Sequence, residues 1–416
     1  MLTNLMRIAV TRSLKPFVFQ GKYKNKLNID GLNEIGLYVH IPFCESICPF
    51  CPYCKVAYNE KVALEYKDAL IKEINIVGKS FNGKKATTSL YFGGGTPTLM
   101  IDHIEEIINE LKKYFIITGD IGLEVHPRDV NKDITYKLKK AGVNMVSLGV
   151  QSFSNKCLDS LGRDRGDSLN ALKLISKEGF DVVDVDLIFA IPGQDEKDLL
   201  EDINIAFSNG ATQISTYPFI DFTFANNKNK PLSEGEKKKM LNAIVTNCME
   251  SGYKRTSVWT FGKNGIRKYS SITRDNFIGF GVSATTLLKD MFKINTFSID
   301  GYINRVNNNN MPTALTLDFT LRQRAAYYLF WSCYSMDIDP KKYENIIGKS
   351  LEKMFGLELL ICRGLGLIKK ENSIYRVTNR GAYYYHFIEQ EYTTAYIDKM
   401  WSIASKTPFP KEIKLK

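Results

Sequence analysis

Four of the eight cysteines fall within eleven residues, Cys44-Glu-Ser-Ile-Cys48-Pro-Phe-Cys51-Pro-Tyr-Cys54. Thiols so crowded, in a chain with no secretory signal, favour metal over disulfides and a reducing compartment, most simply the cytoplasm. The spacing divides in more than one way. Cys44-x3-Cys48-x2-Cys51 can hold three irons of a [4Fe–4S] cluster and leave the fourth iron open to a small molecule. Cys48-x2-Cys51-x2-Cys54 has the spacing of a bacterial ferredoxin run, without the Cys-Pro that should follow. A zinc site could use all four thiolates, although structural zinc motifs usually join two pairs across an intervening segment and no second pair exists. Cys157, Cys248, Cys333 and Cys362 are scattered singly and read as small core residues.

Other residues suited to chemistry sit where apolar runs end. Short runs at 37–41, 89–92, 122–125, 145–150, 182–189 and 213–218 read as strands, and stretches with an apolar face at helical spacing separate them. Gly142, Gly179 and Gly210 follow three of those helices. Such alternation implies a parallel sheet, either open and doubly wound or an incomplete (β/α) barrel. The cysteine loop follows the first strand, GGGTPT the second, and Glu124 lies near the end of the third. GVQSF closes the fourth, Asp186 lies in the fifth, and Tyr217 and Pro218 end the sixth. A barrel gathers all strand C-termini at one mouth, whereas an open sheet spreads them along an edge, so the barrel is expected.

After residue 230 the pattern changes. EGEKKKMLNAIVTNCMESG reads as a helix, YKRTSVWTF as a strand and FIGFGVSATTLL as a tight turn against the barrel. From about 315, helices followed by a small hairpin resemble a winged-helix module. The expected division is a basic N-terminal strap (1–35), an α/β core that is an incomplete (β/α)6 barrel (36–230), a barrel-completing extension (231–310) and a C-terminal α+β winged-helix-like module (311–416). Tyr383, Tyr384, Tyr385, Phe387, Tyr392, Tyr396 and Trp401 are expected to pack the last helix rather than stack on a flat ligand.

Composition is ordinary, 44% hydrophobic and 24% charged, and no apolar run approaches a membrane span. Of the net charge of +11, nine units lie in residues 1–29 and 402–416, so the body is nearly neutral and no nucleic-acid partner is expected. The acid-free N-terminus has a transit-peptide-like composition but is poor in serine, so a tail packing over the next domain is the expectation.

YVHIPFCESICPFC resembles the cluster loop of the radical S-adenosylmethionine (SAM) superfamily. It is nearest the subgroup of oxygen-independent coproporphyrinogen III oxidases, a haem chaperone, anaerobic haem-degrading enzymes, and class C methyltransferases and cyclopropanases. Tyr38, His40, Phe50 and Cys51 match the family pattern, and the likeness continues through YFGGGTPTLM, GLEVHP, SLGVQSF…LGRDR, VDLIFAIPGQ and GFGVSA. It covers roughly residues 36–290 well and the C-terminal module loosely.

The resemblance implies that Cys44, Cys48 and Cys51 hold a [4Fe–4S] cluster, with SAM on the open iron. It places SAM against Tyr38, Phe50, Gly94, Gly95, Thr96, Glu124, Gln151, Arg163 and Asp186. Gly93 to Gly95, with Thr96 and Pro97, would let backbone approach the methionine amino group. His40 is expected as a donor near the cluster; His126 carries no motif support, and His103 and His386 read as surface residues. No residue is assigned to the reaction itself.

The implied activity is reductive cleavage of SAM to a 5′-deoxyadenosyl radical, as an oxidoreductase acting on a tetrapyrrole by oxidative decarboxylation or haem modification. The electron donor would be a flavodoxin or ferredoxin. Two alternatives follow from the same resemblance: a class C methyltransferase using two SAM molecules on another substrate, or a non-catalytic haem chaperone. Cys54 departs from the oxidase pattern, because it follows Cys51 after two residues rather than one. The N-terminal segment is also shorter than the oxidases' strap.

Overall fold

The computed structural model describes residues 16–22, 27, 29, 31–32, 34–225, 227, 229–267 and 275–415. Most of the basic N-terminal segment, with the expectation of a strap or targeting sequence, therefore lies outside the described residues. The chain opens with β1 (Phe17–Gln20) and β2 (Glu34–Ile41), then β3 (Phe43–Cys44) and β4 (Val56–Ala57), which pair with each other and bracket the cysteine loop. β5 (Lys85–Gly94), β6 (Phe115–Val125), β7 (Met145–Gln151), β8 (Val182–Phe189) and β9 (Gln213–Pro218) follow.

β2, β5, β6, β7, β8 and β9 lie side by side in chain order, each parallel to the next. A doubly wound sheet would reverse its order at a switch point, so sequential order makes this a barrel wall. The helices that return the chain are Glu60–Gly78, Ile101–Lys112, Lys132–Lys140, Ser168–Lys177 and Glu196–Ser208. Side-chain caps start several of them: Asn59 accepts from Val62 N, Asn131 from Ile134 N, and Asp195 forms a reciprocal box with Asp198. β8 is buried along nearly its whole length, as expected for a strand covered on both faces. β5 and β6 begin earlier than their apolar runs indicate, because Lys85–Thr87 and Phe115–Ile117 already pair.

The wall does not close. At one edge β10 (Lys254–Arg255) and β11 (Thr260–Gly262) form a hairpin with β11 antiparallel to β9. The single strand expected over YKRTSVWTF is thus two: Thr256 N bonds to Thr260 O at 2.9 Å and reverses the chain. At the other edge β12 (Phe277–Phe280) runs parallel to β2, followed by antiparallel β13 (Thr285–Leu287), β14 (Met291–Asn295) and β15 (Thr313–Asp318).

Helices Leu321–Tyr334, Pro340–Ile347 and Leu351–Gly364 come next, with a small sheet of β16 (Asp337–Ile338), β17 (Ile368–Glu371) and β18 (Ile374–Val377). A 26-residue helix, Asn379–Ala404, leads back to β19 (Glu412–Leu415), which pairs with β1. Two boundaries move accordingly. Residues 313–318 and 412–415 belong to the main sheet rather than to the C-terminal module, and β1 is inserted between β15 and β19.

Glu73, on the first barrel helix, ties this extension to the barrel. Its carboxylate accepts from Gly281 N at 2.7 Å, Asn295 Nδ2 at 2.9 Å and Tyr302 OH at 2.6 Å. Tyr66, two turns earlier on that helix, donates to His40 O at 2.7 Å and accepts from Val282 N at 2.9 Å. The glycine-rich turn after β12 is thereby fixed against the first barrel strand.

Candidate active site

One cavity of about 630 Å³ is lined by Cys44, Cys48, Cys51 and Cys54 together with Tyr38, Phe50, Gly94, Gly95, Thr96, Glu124, Gln151, Arg163 and Asp186. Strand order explains the convergence: the residues sit at or beyond the C-terminal halves of five neighbouring parallel strands, β2, β5, β6, β7 and β8, and these ends meet at one mouth.

The cysteine loop is held by its neighbours. Val56 N donates to Pro42 O and Tyr58 N to Cys44 O, each at 2.8 Å, while Lys55 Nζ donates to Cys51 O at 2.7 Å. His40 Nε2 lies 2.8 Å from Cys54 O, and its Nδ1 lies 2.8 Å from Tyr38 OH. A carbonyl can only accept, so Nε2 carries the proton and the tyrosine hydroxyl donates to Nδ1. Burial pushes the His40 pKa down to about 4, which keeps the ring neutral. The ring therefore supports loop backbone rather than a sulfur.

Thr96 Oγ1 donates to Cys44 Sγ at 3.7 Å, and Arg163 Nη1 to Cys48 Sγ at 3.5 Å. Burial pushes the Cys44 thiol up to about 11. Cys54 is turned elsewhere: its Sγ donates to Phe297 O at 3.6 Å, and burial pushes its pKa up to about 12. Among the described residues no three His, Cys, Asp or Glu side chains converge on a single ion-sized point.

The glycines of β5 and its turn have a reason within the chain itself. A Cβ on Gly95 would stand 2.5 Å from Phe43 O, and one on Gly93 2.9 Å from Glu124 Oε1. Gly94 has φ +123°, and a Cβ there would strike the His40 ring at 2.6 Å. Glycine lets this turn press against the cysteine loop, whatever else approaches it.

Glu124 accepts from Tyr91 OH at 2.7 Å and from Gly94 N at 3.0 Å, and burial raises its pKa. Gln151 has φ +69°, at the point where the β7–β8 register shifts. Arg163 Nη2 donates to Gly149 O on the same strand.

Asp186 accepts from Ser147 Oγ at 2.8 Å, and its neighbour Asp184 accepts from Ser215 Oγ at 2.8 Å. Burial first, then the charges of Asp184 and Glu124, raise the Asp186 carboxyl; burial holds Asp184 up to about 6. Asp184, Ser147 and Ser215 also line the cavity and were missed from the sequence. The signal was present in VVDVDLIF, since residues two apart on a strand share a face.

Of the histidines, His386 departs from expectation and His103 does not. His103 is on the surface near Glu106. His126 lines the cavity, with its pKa pushed down to about 3 by burial and then by Arg163 and Arg128. His386 is not a surface residue: it is 1% exposed, and its Nδ1 accepts from Trp259 Nε1 at 2.9 Å. The last helix carries it beneath the β10–β11 hairpin, a contact between segments 127 residues apart.

The aromatic residues also require a correction. Tyr385 packs inward, its OH donating to Phe330 O at 2.8 Å, and Tyr383 packs on Phe387. Tyr392, Tyr396 and Trp401 instead line the cavity, as do Phe19, Phe292, Phe297, Tyr327 and Trp331. Residues 389, 392, 396 and 400 lie three or four apart and so share one helix face, which is the face turned to the cavity. The cysteine mouth thus opens into an aromatic chamber.

Comparison with known proteins agrees with this architecture. Residues 38–206 match the Radical SAM superfamily. Heme chaperone HemW of Bacillus subtilis is 28% identical over 83% of this chain and 95% of its own length. An oxygen-independent coproporphyrinogen III oxidase of Synechocystis is 25% identical over 67% of this chain and 66% of its own length. The solved structure of coproporphyrinogen III oxidase (HemN) from Escherichia coli superposes with TM-score 0.73 at 20% identity, covering 90% of this chain and 95% of that one.

The chain belongs to the radical SAM superfamily, in its HemN/HemW-related branch. Its cofactors are a [4Fe–4S] cluster and SAM. The donor set fits both: three thiols share one mouth with buried carboxylates that can accept from an amino group or a ribose. No described helix is long and apolar enough to cross a membrane.

Proposed function

We propose that the protein is a radical SAM enzyme acting on a tetrapyrrole. In this reading Cys44, Cys48 and Cys51 ligate the cluster, and Cys54 does not. Tyr38, Phe50, Gly94, Gly95, Thr96, Glu124, Gln151, Arg163 and Asp186 hold SAM. The Gly94–Thr96 turn offers backbone to its amino acid end, Arg163 suits its carboxylate, and Glu124 and Asp186 suit its amino or hydroxyl groups. When bound, the cluster supplies an electron and SAM a 5′-deoxyadenosyl radical that takes a hydrogen atom from substrate. The protein's own share is to orient the partners and keep water out, and the buried chamber walls are suited to that.

The observation that carries the substrate class is the continuity of the cysteine mouth with a chamber walled by Tyr392, Tyr396, Trp401, Phe292 and Trp331. Aromatic walls of this kind grip a large flat or cupped ring system. The names of the curated relatives support the same class. A flavodoxin or ferredoxin could deliver the electron at the loop tip, where Ile47 is exposed. A cytoplasmic setting is in keeping with eight free cysteines.

Anaerobic, cluster-reconstituted protein should form 5′-deoxyadenosine faster when coproporphyrinogen or haem is added. Absence of acceleration by either sinks the catalytic reading. The similarity to relatives named as haem chaperones favours one alternative, in which haem binds tightly with no turnover; haem affinity without 5′-deoxyadenosine would decide for it.

A further inference from the structure

Between β9 and the helix Glu234–Glu250 the chain forms a loop with its neck at the end of β8. Phe219 N donates to Phe189 O at 2.8 Å, and Leu232 N meets Ala190 O at 3.5 Å. The two ends of residues 219–232 are thus pinned at adjacent positions, as in an Ω-loop. Asp221 braces the interior, accepting from Asn227 Nδ2 at 3.1 Å and pairing with Lys230 Nζ. Near the neck, Asn229 Nδ2 reaches Ser160 O at 3.4 Å, and Ser160 Oγ donates to Pro192 O. A tight turn, with Ala225 N on Phe222 O at 3.0 Å, puts Thr223 and Phe224 at the tip. Phe219, Ile220 and Phe222 line the chamber. A long connection braced within itself and hung from a narrow neck can move as one body.

The tip meets the last helix. Thr223 N donates to Asp398 Oδ1 at 2.7 Å, the one hydrogen bond between loop and helix among the described residues. Phe224 lies against Trp401 with ring centroids 5.7 Å apart, and Trp401 against Phe297 at 4.4 Å. Phe224 is nonetheless 38% exposed, and the latch itself is at the surface. The helix is the fixed side of this contact. Tyr385 OH donates to Phe330 O at 2.8 Å. Glu389 is sealed among Tyr334, Tyr385 and Tyr392, where burial pushes its carboxyl up to about 7 and Oε2 has no hydrogen-bond partner. One solvent-reached hydrogen bond and one aromatic contact are a slight hold for a chamber wall, and segments held so lightly open well below global unfolding.

We propose that residues 219–232 are a gate on the aromatic chamber, hinged beside Phe189 and Ala190 and latched by Asp398. Closed, the loop seals the chamber next to Trp401. Released from Asp398, it swings on its neck and opens a passage for the molecule the chamber takes up. Any occupant would pass it, tetrapyrrole or not. The closed gate also shuts out water, which radical chemistry at the cysteine mouth requires.

All three tryptophans of the chain, Trp259, Trp331 and Trp401, line the chamber, so their emission reads how readily a solute enters it. In the reconstituted protein, Asp398→Ala should raise the acrylamide quenching constant about threefold and speed amide hydrogen exchange of residues 219–225 about tenfold, as loss of one hydrogen bond to a charged acceptor allows. Exchange in β9 and in the last helix should stay within about twofold of native. Asp398→Asn, which keeps an acceptor oxygen, should recover most of both effects. Unchanged quenching in Asp398→Ala overturns the gate, whatever the exchange rates do. Faster exchange that spreads through the last helix also overturns it, because the helix rather than the loop has then given way. Should Asp398→Ala fold poorly, Phe224→Ala decides. It keeps the latch but removes the contact with Trp401, and native-like quenching there overturns the proposal.

Discussion

The imidazole of His40 spans the gap between a barrel strand and the cysteine loop, its Nε2 2.8 Å from the carbonyl oxygen of Cys54. Because Tyr38 OH occupies Nδ1, the ring is fixed at both nitrogens and holds one tautomer. The loop that presents three thiols is therefore tied to the barrel floor by a neutral, buried side chain.

Loss of that tie should loosen the cluster. His40→Ala is expected to reduce iron retention of the reconstituted protein about 10- to 100-fold, the range for residues that orient metal ligands. Iron content after a chelator challenge measures it. His40→Gln, which can still donate to Cys54 O, should recover part; indifference of both variants would remove His40 from the loop's support.

The four cysteines should separate cleanly. Cys44→Ala, Cys48→Ala and Cys51→Ala are each expected to lose the cluster's visible absorbance. Cys54→Ala, whose sulfur is turned to Phe297 O, should keep iron near the native content. Should Cys54→Ala abolish the cluster while Cys44→Ala leaves it intact, the ligand assignment is wrong.

Glu73 should matter to stability rather than to chemistry. Glu73→Ala leaves Gly281 N and Tyr302 OH without their acceptor in a buried setting, and Asn295 Nδ2 with Gly281 O alone. The expected loss is about 3 kcal/mol or more, read from denaturant unfolding of the apo-protein. A change under about 0.5 kcal/mol would mean that solvent replaces these bonds, contrary to their burial.

The pH dependence of stability should expose Glu389. Its folded pKa of about 7 lies above the ordinary value of 4.5. Below about 4.5 both folded and unfolded chains hold the proton. Between there and about 7 the unfolded chain releases it while the folded chain keeps it, so stability falls as pH rises. Glu389→Gln removes this titration. It should match the native protein near pH 4.5 and exceed it by about 3 kcal/mol near pH 8. A stability difference independent of pH would show that the carboxyl titrates normally.

The barrel and most of its mouth were legible in local sequence patterns. Periods of two and 3.6 residues are local properties, so the strands at 182–189 and 213–218 were legible to the residue. Polar residues at strand ends must meet once parallel strands lie in chain order, and this gathers Cys44, Glu124, Gln151 and Asp186. The cysteine spacing and the motifs beside it carried the family.

The rest depends on how distant segments pack against one another. Whether Tyr392 and Tyr396 pack a core or wall a cavity depends on which helix face meets the barrel, and helical periodicity is silent on that. The burial of His386 needs Trp259, the orientation of Cys54 needs Phe297, and the isolation of Glu389 needs every element around it. Burial and unmet hydrogen bonds arise from segments far apart in the chain, so a linear reading locates the thiols but not the chamber they open into.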